Sequence, residues 1–208
     1  MISSLKNLSS KVKNKNVLIL GSAPTSNIPK EYSNQWILIC INASGYIAKK
    51  KKLANPDITL MTIRAVINRD LSNLEAQYNL KGLKTDVVIL RYVKNNLIKI
   101  IYRLFLVKKF FKANDFTYNS FYKFPPKVWK PIINEIMGED SHMANNISTG
   151  VFAILLAYSL GASRVYSSGI NPKQDGHAYS KYNLKRSHKL QDVKVLKFLK
   201  SHKGLIIL

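Results

Sequence analysis

Four short, nearly unbroken apolar runs constrain this chain more than any other feature. They occupy residues 17–20, 36–41, 58–62 and 87–91. A strand with one face in water alternates apolar and polar residues; a run without that alternation is buried on both faces. Longer segments separate the runs, which leaves room for the crossover helices that a parallel sheet requires. The last third continues the pattern. Ser148-Thr149-Gly150 leads into an apolar helix over 151–160, stopped by Gly161. A strand over 164–168 ends at Gly169. A helix over 192–200 carries Val193, Leu196 and Leu199 at helical spacing, Gly204 caps it, and 205–208 forms a final strand. Strand–helix–strand order predicts an α/β fold with a Rossmann-like, doubly wound, mostly parallel sheet. Ligands in such folds bind at the carboxyl ends of the strands, where the loops after Leu20, Ile41 and Ser168 should meet.

The middle, 95–140, has a different character. It is basic and aromatic, including Tyr102, Phe105, Phe110, Phe111, Phe116, Tyr118, Phe121, Tyr122 and Phe124, and Pro125-Pro126 interrupts it. It reads as a basic amphipathic helix followed by an irregular excursion. The expected organisation is one domain over 1–208, with 95–140 as a lid or membrane-facing insertion. A chain that is 46% hydrophobic has material for a sizeable core, which excludes disorder as a whole-chain state. Thirty-three Lys+Arg against 11 Asp+Glu leave a net charge of +22, which favours anionic partners. Much of that excess is equally explained by a general bias toward Lys, Asn and Ile. The single cysteine, Cys40, excludes an intramolecular disulfide and fits a reducing compartment. No signal-peptide core and no run of 18 apolar residues is present.

Several small constellations carry candidate chemistry. The loop Gly21-Ser22-Ala23-Pro24-Thr25 is built of small residues that let backbone N–H groups approach an anion, or it is an ordinary turn. It matches neither G-x-G-x-x-G nor the P-loop pattern. Asn42, closing an apolar strand, either caps a turn or reaches into a site. Ser148-Thr149-Gly150 at a helix head suits a carboxylate or phosphate, or simple N-capping. His177, Tyr179 and His188 share one polar segment with Lys173, Lys181 and Arg186. A histidine suits general acid–base work near neutral pH. Asp192 lies one helical turn after His188, within reach of its imidazole, although both histidines also read as plain surface residues. D-x-D, H-E-x-x-H and G-x-S-x-G are all absent.

Taken in order, these pieces resemble the sialyltransferases. Val17 to Pro24, followed by Ile39-Cys40-Ile41-Asn42, is similar to the family's first motif. Ile147-Ser148-Thr149-Gly150-Val151 resembles its small-residue S-T-G motif. The run Val165 to Asn171, with Ser168 and Gly169, resembles the bacterial L-S-G-I-D strand end, and Gln174 to Tyr179 the glycine-to-tyrosine segment after it. His188 and Asp192 resemble its H-x-x-x-E/D motif. The likeness covers 16–46 and 145–208, and the bacterial family 42 and the sialylmotif family 29 both share this layout. Ser22 and Ala23 depart from the usual Asn-Gly, and Asn146 stands where bacterial members carry arginine.

The resemblance implies a GT-A-like variant of the fold and an inverting, metal-independent transfer of sialic acid, or a related acidic sugar, from a CMP-activated donor. It implies no cofactor beyond that donor. His188 would be the general base and Asp192 its orienting partner. Gly21, Ser22, Ala23, Pro24, Thr25, Asn42, Ser148, Thr149, Gly150, Ser168, Gly169, Asn171, Lys173, His177 and Tyr179 would hold the donor, with Tyr179 on its phosphate and Lys173 at the place of a second phosphate tyrosine. The implied partners are a glycan or glycolipid acceptor and further copies of the chain, with no nucleic acid. Separately, the basic helix around Leu97 to Lys112 reads either as a dock for an anionic membrane surface or as a lid over the active site. The implied location is the cytoplasm, peripheral on the inner membrane face. Two other classes fit parts of the pattern: a non-catalytic nucleotide- or RNA-binding module using the basic aromatic middle, and another nucleotide-dependent transferase on a similar fold.

Overall fold

A computed structural model describes residues 3–92, 97–144, 146–172 and 188–208. Its centre is a seven-stranded sheet: β1 (Asn16–Leu20), β2 (Ile37–Ile41), β3 (Ile58–Thr62), β4 (Lys84–Arg91), β5 (Thr117–Phe124), β6 (Arg164–Ser168) and β7 (Ile206–Ile207). The spatial order is β5-β4-β3-β2-β1-β6-β7, and all neighbours pair in parallel.

The unbroken apolar runs have the predicted cause. Successive side chains of each strand point to opposite faces, and both faces are covered. Val17, Ile19, Ile37, Ile39, Ile58, Leu60, Val87 and Ile89 pack on one side. That side is covered by α1 (Ser3–Val12), α6 (Pro126–Met137), α7 (Thr149–Ser159) and α8 (Lys189–Lys203). Leu18, Leu20, Leu38, Cys40, Met61, Val88 and Leu90 pack on the other. There the cover is α2 (Gly45–Lys50), α3 (Ile63–Ile67), α4 (Leu71–Leu80) and α5 (Leu97–Ala113). Helix α7 is apolar all round because it is buried on nearly every side, its residues Gly150 to Ala157 all being inaccessible.

Part of the middle segment departs from expectation. The helix is present as α5, but the stretch read as an irregular excursion contains β5, the edge strand, paired along its length with β4. Pro125-Pro126 does not interrupt structure but starts it. Pro126 stands at the head of α6, where its missing N–H would have had no intrahelical partner. A 3₁₀ stretch, Gly138–Ala144, then leads toward α7.

Candidate active site

The strand order reverses at β1. The chain passes from β1 to β2 on one side, whereas β6 lies against β1 on the other and is followed by β7. The crevice at the carboxyl ends of β1 and β6 is therefore the topological switch point. Two of the predicted loops cross there in near contact. The Gly21 N–H donates to the Ser168 carbonyl (2.7 Å) and the Ala23 N–H to the Gly169 carbonyl (2.8 Å). A Cβ on Gly21 would stand 2.3 Å from the Gly169 oxygen, so only glycine permits this approach. Gly150, in the first turn of α7, fits against Ile170, where a Cβ would meet the side chain at 3.1 Å. The sequence thus places Gly21, Gly150 and Gly169 in three separate motifs, and the fold brings them to one place.

Around this crossing the predicted donor residues differ in access. Pro24 and Thr25 are exposed, Ser22 and Ala23 are buried, and Asn171 is partly exposed. Ser168 is fully buried; its hydroxyl is closed to solvent and has no hydrogen-bond partner. Asn42 has a left-handed backbone (φ 50°), and its Oδ1 accepts the Thr62 N–H at 3.4 Å. It caps the turn and ties β2 to the end of β3. Ser44, fully buried, draws the neighbouring strand ends together: its hydroxyl donates to the Leu20 carbonyl and accepts the Ile41 N–H at 2.7 Å.

The second half of the site is built on three consecutive residues, 146–148, just before α7. The carbonyl of Asn146 faces His188 Nδ1 at 2.7 Å. The carbonyl of Ile147 accepts from an Arg91 guanidinium nitrogen at 3.3 Å. The N–H of Ser148 donates to Asp192 Oδ1 at 2.9 Å. Three charged or titratable side chains from two elements and their flanks grip three successive backbone units. Asn146 has φ 68°, a left-handed conformation that asparagine tolerates. Asp192 lies in the first turn of α8 beside the head of α7, where helix dipoles favour a negative charge. Ser148 N-caps α7 by accepting the Val151 N–H at 3.3 Å, which leaves its own O–H as a donor.

This geometry revises the predicted His188–Asp192 pair. Both residues are at the site, but the group on Nδ1 of His188 is the Asn146 carbonyl. A carbonyl only accepts, so Nδ1 is a protonated nitrogen, and in the neutral ring Nε2 is the one with the lone pair. That is the tautomer a general base needs. Asp192 holds the same backbone segment through the Ser148 N–H.

Arg91 is the residue that motif reading missed. The last residue of β4, it is only 6% exposed. Its guanidinium lies 4.6 Å from the ring centre of Trp129 and 4.7 Å from that of Phe152. Trp129 is fixed by donating its indole N–H to the Tyr92 carbonyl at 3.1 Å. Burial lowers the Arg91 pKa to about 10, and the charge of Asp192 works against that drop. The Arg91 Nε has no hydrogen-bond partner. A charged residue closing an apolar run on the sheet's carboxyl edge was the available signal.

Thr149 opens α7 and is partly exposed. Lys173, His177 and Tyr179 lie outside the described residues. A cavity of about 290 Å³ opens between α8 and β7, lined by Ile170, Val193, Leu196 and Ile207 among others, and of the predicted site residues it touches only Asn171. Cys40 is buried, and burial pushes its thiol up to about 12, which removes it as a nucleophile.

No family model matches the sequence. No curated protein matches it either. Solved structures do match. The sialyltransferase CST-II in complex with a trisaccharide acceptor and CMP superposes with a TM-score of 0.56 at 18% identity, covering 93% of this chain and 81% of that one. CstII from Campylobacter jejuni in complex with the substrate analogue CMP-3FNeuAc gives 0.56 at 16% identity, with 93% and 81% covered. The monofunctional alpha-2,3-sialyltransferase Cst-I from Campylobacter jejuni gives 0.59 at 16% identity, with 93% and 74% covered. The chain shares with these sialyltransferases its α/β fold.

Proposed function

We propose that this protein transfers sialic acid, or a related acidic sugar, from a CMP-activated donor to a hydroxyl of a glycan or glycolipid. The observation that carries the reading is the placement of His188. Its imidazole stands beside the head of α7 with Nδ1 on the Asn146 carbonyl, in a fold shared with sialyltransferases solved with CMP. In the reaction, Nε2 takes the proton of the acceptor hydroxyl as its oxygen bonds to the anomeric carbon. The bond from that carbon to the CMP phosphate oxygen breaks, and the electron pair leaves with CMP. One displacement from the opposite face inverts the anomeric configuration. Carbon–oxygen cleavage runs ahead of bond formation, giving an oxocarbenium-like transition state. Negative charge then grows on the phosphate, and preorganised donors there lower the barrier most. The Thr149 and Gly150 N–H groups in the first turn of α7 and the Ser148 hydroxyl are the donors on this chain's described side of the site. Lys173 and Tyr179 would add a cation and a phenol, so that the leaving phosphate needs no metal.

The test is calorimetry with CMP, CDP and UDP, with and without a chelator, paired with a transfer assay using CMP-sialic acid. Selective CMP binding insensitive to chelation is expected. His188→Ala should retain that binding and lose transfer by about 100-fold or more, the usual worth of a positioned base. Absence of CMP binding together with tight, salt-sensitive binding of RNA would replace this reading with the nucleic-acid module.

A further inference from the structure

The outer face of α5, with that of α4, carries apolar side chains for which the fold itself has no use. On α5 the core stripe is Ile100, Val107 and Phe111, with Leu104 half-buried. On its far side Ile101, Tyr102 and Phe105 are 61%, 63% and 63% exposed. On α4, Leu71, Leu74 and Tyr78 recur at i, i+3 and i+7 and are likewise exposed, Tyr78 to 79%. Both helices pack on α3, so the two stripes belong to one side of the sheet. Exposed apolar residues gathered on one side mark an interaction surface.

The charge around them selects the partner. Between residues 92 and 114 the sequence has six Lys and Arg and no Asp or Glu. Arg103, Lys108, Lys109 and Lys112 are exposed on the same helix as the aromatics. A second copy docking by this face would set those cations against their own kind. Nucleic acid would satisfy the charge but offers nothing to Ile101, Leu71 and Leu74. An anionic bilayer satisfies both, because its headgroups meet the lysines while its acyl boundary takes the apolar side chains. No helix among the described residues is long and apolar enough to cross a membrane. We infer that the α4–α5 face is a docking surface for an anionic lipid bilayer, on which the protein lies with α5 in the interfacial plane.

The orientation has a consequence for the site. Helix α5 connects the parallel strands β4 and β5, so it runs from the carboxyl edge of the sheet back to the amino edge. Its apolar half, 101–105, is therefore the half nearer the crevice, and its lysine half the farther. Docked in this way, the carboxyl edge sits close to the lipid headgroups, where a lipid-linked acceptor would present its hydroxyl. Only that last step rests on the proposed transfer; the docking itself does not.

The experiment is co-sedimentation of the full chain with sucrose-loaded vesicles of phosphatidylcholine alone or mixed with phosphatidylglycerol, at low and high salt. Binding is expected to the mixed vesicles only, weakened but not abolished by salt. The double variant Ile101→Ser/Phe105→Ser, both exposed positions, should weaken it about tenfold or more and abolish the salt-resistant part. Lys108→Glu/Lys109→Glu should weaken it similarly, whereas Lys194→Glu/Lys200→Glu, the same charge change on exposed α8 positions of the opposite side, should leave most of it. Equal loss from both charge reversals would overturn the assignment, since binding would then follow net charge and not this face. Unchanged binding by the serine variant, no binding to mixed vesicles, or displacement of the bound protein by RNA would overturn it as well. Circular dichroism confirms that each variant is folded, and CMP titration of the same samples reads the proposed donor site separately.

Discussion

Replacing Arg91 by lysine isolates what the guanidinium does at the site. The pKa drop from 12.5 to about 10 corresponds to about 3 kcal/mol spent on keeping a cation in this environment. Two ring faces oppose that cost. A desolvated cation–π contact contributes about 2 kcal/mol, and Arg91 makes two, on Trp129 and Phe152. The charge-assisted bond to the Ile147 carbonyl, at 3.3 Å, adds about 1.5 kcal/mol more. The balance favours arginine by only a few kcal/mol, and it depends on a flat, weakly hydrated cation. Lysine keeps the charge but is more strongly hydrated and cannot lie flat between two rings. Arg91→Lys should therefore lower stability by about 2–4 kcal/mol, or about 5–12 °C in Tm. Urea unfolding followed by tryptophan fluorescence reads this directly, because Trp129 forms one wall of the sandwich. A variant within about 0.5 kcal/mol of the parent would refute the reasoning, since that is the range of ordinary surface substitutions.

Other expectations follow from single contacts. Gly21→Ala should cost about 3 kcal/mol or more, because its Cβ would press on the Gly169 carbonyl; Gly204→Ala, left-handed but in open space, should cost about 1 kcal/mol, and equal chemical-denaturation midpoints for the two would rule out the close approach. Lys11 and Asn119 hold the Asp86 carboxyl below its ordinary value of 3.8. The stabilisation is therefore full above the ordinary carboxylate range and is lost as pH falls through the lowered value. Asp86→Asn should flatten that part of the acid limb of a Tm–pH profile, by under about 1 kcal/mol because the pair is partly exposed; an unchanged limb would count against it. Cys40 should resist alkylation in the native protein and react promptly in denaturant, and prompt native labelling would contradict its burial.

What could be read from the chain alone was whatever depends on neighbours in sequence. The strands at 17–20, 36–41 and 58–62 were visible as apolar runs because both faces of a parallel sheet are dry. Gly204 was visible as a helix end, and it adopts the left-handed conformation that such an end requires. The glycine loops and His188 were visible as motifs because their residue types stand out locally in the sequence. The edge strand β5 was not. One neighbour and partial exposure give it a mixed burial pattern, and its aromatics read equally well as an irregular cover. Helix α1 was also hidden in a polar N-terminal stretch, because among its described side chains Leu8 and Val12 are buried in the core and Leu5 packs against it, while the rest are polar.

The site shows the same division more sharply. The chain alone indicated that the small loops after Leu20, Ile41 and Ser168 would meet at the carboxyl edge of a parallel sheet; the helix head at Ser148 and His188 joined them only through the family resemblance. Only the tertiary structure decided which group touches which. Asp192 is four residues from His188 in sequence, yet its carboxylate holds the N–H of Ser148, and His188 takes the Asn146 carbonyl. Arg91, 56 residues from Ile147, closes the same segment. The physical reason is that burial of a charge depends on what distant elements deliver around it. Trp129, Phe152 and Asp192 come from three different helices, and no periodicity at residue 91 encodes their arrival.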